Sequence, residues 1–157
     1  MKNLLPFLFL LFAPHVFSQV NAVLPSEAKT FYENAMLRVN PEIKHLIEKN
    51  ANKLTGHKIN VDSLERELKK SFLLKGRNES EIQAIAILIL VQASKNADNN
   101  LKEMVIHKKQ SNPESENEKD KTYASQLVEN KSEIAQTVLF MMKKLSGTQE
   151  MVMEKFK

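Results

Sequence analysis

The sequence predicts an all-α fold, a helical bundle of four to five helices around one central apolar helix. Three observations lead there. Apolar residues return every three to four positions along most of the chain, which is the spacing of one helix face. The segment Ile82-Gln83-Ala84-Ile85-Ala86-Ile87-Leu88-Ile89-Leu90-Val91 is apolar in nearly every direction, as a helix at the middle of a bundle must be. Its β-branched content would also suit a buried strand, yet no second strand candidate exists for it to pair with.

The chain opens on Met-Lys-Asn and an apolar run from Leu4 to Phe12, followed by small residues between Ala13 and Ala22. That is the layout of an export signal: a positive start at Lys2, a short apolar stretch, then a site acceptable to a signal peptidase. Residues 1–22 are read as that signal peptide. Cleavage after Ser18 would leave a chain beginning at Gln19; cleavage after Ala22 would leave one beginning at Val23, and Ala22 is the smaller residue at the scissile position. The apolar run falls well short of the roughly 20 residues that cross a bilayer, so no membrane span is expected after cleavage. The expected location is periplasmic or secreted. An exported domain with no cysteine has no disulfide to lean on, which suits a bacterial envelope and leaves apolar packing to hold the fold.

Residues 23–157 are read as a single helical domain, since about 135 residues can remove roughly two thirds of their unfolded surface from water. The first helix opens at Ser26, taken as its N-cap, and repeats Ala28, Phe31, Tyr32, Ala35, Met36 and Val39 on one face. Asn40 then caps a second helix with Pro41 at its first position, where a missing N–H costs nothing. Ile43, Leu46, Ile47 and Leu54 form its buried stripe, and Gly56 supplies the left-handed stop. Asp62 with Glu65 three residues on reads as a capping box for a third helix bearing Leu64, Leu68 and Phe72 and stopping at Gly76. The lysines that crowd its end, Lys69, Lys70 and Lys75, complement the negative pole of the helix.

The central helix starts at Ser80-Glu81 and runs on through Ala93, Ala97, Leu101, Met104 and Val105 to His107. Its weak point is Asn96 to Asn100, where Asp98 or Asn99 has the chemistry to cap a new helix. From Gln110 to Thr122 no apolar residue occurs, and Asn112-Pro113 followed by charges reads as a flexible loop at 110–122. A last long helix is expected from near Tyr123, carrying Leu127, Val128, Ile134, Val138, Met141, Met142 and Leu145 up to Gly147, with one short turn beyond it holding Val152, Met153 and Phe156.

Composition narrows function more than any motif does. Removing Lys2 lowers the formal charge from +4 to +3, spread thinly, which gives no basic stripe for nucleic acid. Six aromatic residues remain after the leader and none is Trp, so stacking platforms are scarce. Three scattered glycines build no phosphate cradle, and no Gly-x-Ser-x-Gly elbow or thiol marks a nucleophile. Glu42 and His45 have the Glu-x-x-His spacing of di-iron bundles, but no second copy exists, and their angular position turns them toward solvent. Glu103 and His107 read as a helix-surface pair. No metal and no cofactor are expected.

One cluster stands out, the methionines of the final segment. Met141, Met142, Met151 and Met153, with Phe156, form the candidate partner-binding surface, because Met-rich faces adapt to more than one partner. The expected function is an exported, non-catalytic interaction or scaffold protein whose partner is another envelope or secreted protein. Two alternatives stand beside it: a small-ligand or lipid carrier with an apolar cavity between helices, and a Glu-dependent hydrolase.

Overall fold

The computed structural model describes residues 23–110 and 118–156. The expected leader, residues 1–22, and residues 111–117 of the expected loop lie outside them. Six α-helices and no strand occur among the described residues: α1 (Ser26–Arg38), α2 (Pro41–Leu54), α3 (Val61–Lys70), α4 (Glu79–Gln110), α5 (Glu118–Leu145) and α6 (Gln149–Glu154), with a 3-10 turn at Phe72–Leu74. The protein is an all-α bundle, and α4 is its axis: every other helix packs against it, α5 most extensively and α2 next.

The middle of α4 explains why. Ile85, Ile87, Leu88, Ile89 and Leu90 are fully enclosed, and every residue from Glu81 to Val91 is buried except Gln83. Enclosing an aliphatic side chain of this size stabilises by about 1.5–3 kcal/mol, so this stretch dominates the driving force for collapse. Around it lie Phe31 and Ala35 of α1, Ile43 and Ile47 of α2, Leu64 and Leu68 of α3, Ile134 and Val138 of α5, and Val152 of α6. No helix among the described residues is long and apolar enough to cross a membrane.

The helix ends follow local chemistry. Asn40 caps α2, its side chain accepting the Ile43 N–H at 2.9 Å, and Pro41 takes the first position as expected. Gly56, Gly76 and Gly147 all have positive φ, the conformation that lets a helix end without a Cβ clash. Two expected caps are corrected. Pro25, not Ser26, precedes α1, and Asn60, not Asp62, caps α3 by accepting the Ser63 N–H at 2.8 Å. Asn60 lies one residue before the helix, where its oxygen reaches the orphan donors; Asp62 is already inside the first turn.

Three further departures concern where helices end, continue and start. α3 ends at Lys70, so the chain turns and sends Leu74 into the core while Phe72 is left 85% exposed. α4 does not break at Asn96–Asn100, because the polar side chains there find partners on neighbouring helices: Asn96 on Asn52, Asp98 on Lys131, Asn100 on Tyr123. α5 is helical from Glu118, the first described residue after 110, so residues 118–122 of the expected loop, and with them the expected start near Tyr123, already lie in the helix.

Candidate functional site

The methionine cluster divides between interior and surface. Met141, Met142 and Phe156 are buried in the core, Met153 is half-buried against it, and Met151 is 61% exposed. Periodicity alone could not separate these, because a wide apolar stripe on α5 serves either role. Around Phe156 the chain end is clasped. Arg77 lies over the ring at 5.7 Å and donates to the Lys155 carbonyl at 3.2 Å, while buried Glu81 accepts from Lys155 Nζ at 3.1 Å. Those residues anchor α6 rather than present it.

The surface that α5 does offer lies one turn away. α3 and α5 both pack on α4 but hardly touch each other, which leaves a groove of about 370 Å³ between them. Gln83, the polar interruption in the central run, and Met141 lie along it; Val61 and Asp62 line the α3 side, and Phe140 lines the α5 side. Phe140 is 58% exposed and its ring carries the Lys144 ammonium at 4.5 Å; the neighbouring Leu139 is 45% exposed. Of the sequence-derived candidates, Met141 is the one that lines this groove.

The groove is electrostatically uneven. Burial pushes the half-buried Glu65 carboxyl above the usual carboxylate range, and the charge of Glu79 adds to the rise, against the opposing pull of Lys69 and Lys144. Lys69 reaches Glu79 at 2.8 Å, so part of its charge is committed elsewhere. Glu65 therefore sits in the groove with less cationic support than its burial calls for. The spacing to Asp62 suggests a capping box, and only the placement of α3 and α5 on the same side of α4 puts Glu65 in the groove.

A second, polar cleft of about 520 Å³ lies between α2, α4 and α5, lined by Asn52, Thr55 and His57, by Asn96, Asn99, Asn100 and Glu103, and by Tyr123. A chain of side-chain hydrogen bonds orders one wall. Tyr32 Oη donates to Gln92 Oε1, Gln92 Nε2 donates to Asn96 Oδ1 at 2.8 Å, and Asn96 Nδ2 donates to Asn52 Oδ1 at 2.8 Å. Burial, with the Glu48 charge nearby, pushes the Tyr32 phenol up, which keeps it a donor. Farther along, Asn100 Nδ2 donates to Tyr123 Oη at 3.0 Å. A third cleft, of about 540 Å³, surrounds the turn after α2. There Asn130 and Glu133 are engaged with backbone N–H groups of Gly56 and Ile59.

Glu42 and His45 are exposed on α2, as their angular position predicts, and Glu103 and His107 are exposed on α4. No group of three or more His, Cys, Asp or Glu side chains among the described residues has the arrangement of a metal site. No family model, no curated protein and no solved structure matches the chain.

Proposed function

We propose that this is an exported, non-catalytic interaction protein of the bacterial envelope, and that it docks an apolar peptide segment carrying basic residues into the α3–α5 groove. The observation that carries the reading is the pairing of exposed Phe140 with Glu65 and Asp62 across that groove. Exposed aromatic rings at the edge of a groove are common anchors of protein contacts. A cation on the partner would supply what Glu65 lacks, and Asp62 adds to the acidic α3 side. The location of the docking surface differs from the Met-bearing cluster read from sequence, although Met141 contributes to both. Polar linings in the two larger clefts favour this reading over a lipid carrier, which needs an apolar interior.

Panning a displayed peptide library against the purified protein tests the docking. Enriched peptides should join a bulky apolar residue to Lys or Arg, and Phe140→Asp should abolish their binding while Leu37→Asp, at another exposed apolar residue, leaves it intact. Enrichment insensitive to Phe140→Asp, or no enrichment, would refute the reading. The export half is tested separately by fusing residues 1–30 to a reporter that is active only outside the cytosol; an inactive fusion in a bacterial host counts against it.

A further inference from the structure

We infer that the polar cleft between α2, α4 and α5 is a binding site for a neutral, N-acetylated oligosaccharide. It goes beyond the docking groove, with which it shares no lining residue.

The lining chemistry selects the ligand class. Four carboxamides, those of Asn52, Asn96, Asn99 and Asn100, face one space of about 520 Å³. That volume is within the roughly 300–1,000 Å³ typical of small-ligand sites. Carboxamides both donate and accept, and so match ligand groups that do the same: sugar hydroxyls and above all acetamido groups, whose N–H and C=O form the complementary pair. Lys and Arg are absent from the lining and Glu103 brings a negative charge, which disfavours phosphates and other anions.

The existing hydrogen bonds orient the groups that remain. Asn52 Oδ1 is occupied by Asn96, which leaves the Asn52 amide hydrogens for a ligand acceptor. Asn100 donates to Tyr123 Oη, so its own Oδ1 can accept a ligand N–H or O–H, and the Tyr123 hydroxyl, accepting there, keeps its hydrogen for donation. Asn96 is held from both sides, by Gln92 and Asn52, so its placement is fixed before any ligand arrives. Tyr123 is 39% exposed at the edge of the cleft, and an aromatic side chain there can take the C–H side of a pyranose. A peptide of small residues such as Gly and Ser could use the amides but has no apolar face to lay on that ring, whereas a pyranose has both, which is why the sugar is preferred.

The test is a titration of isotope-labelled protein with the trimer of N-acetylglucosamine, following side-chain amide resonances. Saturable shifts at Asn52, Asn96 and Asn100 are expected, with none at Gln83 in the other groove. Asn52→Asp keeps the oxygen that accepts from Asn96 and removes only the amide hydrogens, and Asn99 bonds no other side chain among the described residues, so Asn52→Asp/Asn99→Ala should leave the melting temperature nearly unchanged. The double variant should weaken binding roughly ten- to thirtyfold through the loss of two hydrogen bonds. Absence of saturable shifts at millimolar sugar would overturn the inference. So would unchanged affinity in the double variant, or equal shifts and affinity with a neutral Gly-Ser peptide.

Discussion

Asn130 on α5 accepts the Gly56 N–H through its Oδ1 at 3.1 Å, and its Nδ2 donates to the carbonyls of Leu54 and His57. A single buried carboxamide thereby satisfies the turn that ends α2 and ties it to a helix more than seventy residues away. Asparagine is the side chain for this role because it presents a donor and an acceptor side by side. Asn130→Ala should cost about 1–2 kcal/mol in urea denaturation, because the turn after α2 loses its tie to α5 while the partly buried Gly56 N–H and the exposed His57 carbonyl keep access to water. A variant as stable as the parent would show that water replaces the amide there.

Gly56 occupies a position where any side chain is strained. Its φ of +76° is left-handed, and an added Cβ would stand 3.4 Å from both Leu127 Cδ2 and Tyr123 Cε2. Gly56→Ala should destabilise by about 1–2 kcal/mol from the backbone term alone. Gly76→Ala shares the positive φ but meets nothing within 4 Å. The difference between the two variants, measured by thermal melts, isolates the contribution of the contacts.

The bundle was legible because its signals are local. The period of the apolar residues, the Asn40-Pro41 start and the glycine stop at residue 56 act within a turn or two of chain, and the structure uses each as read. Asn96 to Asn100 misled for the opposite reason. In isolation those side chains compete with helical backbone, and only Asn52, Lys131 and Tyr123, brought from other helices, give them something better to bind. For the methionines the period was ambiguous: an apolar stripe states that a face is covered or sticky, and only packing separates Met142, which is buried, from Met151, which is 61% exposed. Both clefts lie between elements distant in sequence, so no motif could announce them.

Phe156 shows what the chain end contributes. Its ring is fully enclosed, beneath Arg77 and beside the Glu81–Lys155 pair. Phe156→Ala should destabilise by about 3–5 kcal/mol, the range for emptying a buried aromatic position. By contrast, Met151→Ala at an exposed position should change stability by less than about 0.5 kcal/mol. Equal effects from both substitutions would mean that α6 does not pack as described.

Glu65 provides a pH-dependent check on the docking groove. Burial and the Glu79 charge raise its carboxyl above the ordinary value of 4.5. A folded-state pKa above the unfolded one means that the proton favours folding: the stabilising contribution is complete below the unfolded pKa and is lost as pH rises through the raised value. At neutral pH the ionised carboxylate is thus a net liability, which Glu65→Gln removes. Because the group is partly open to solvent, the gain is small, on the order of 1 °C in melting temperature. It should vanish well below pH 4.5, where both side chains are neutral. If Glu65→Gln instead lowers the melting temperature at neutral pH, then Lys69 and Lys144 already satisfy the carboxylate, and the groove has no unmet demand for a partner's cation.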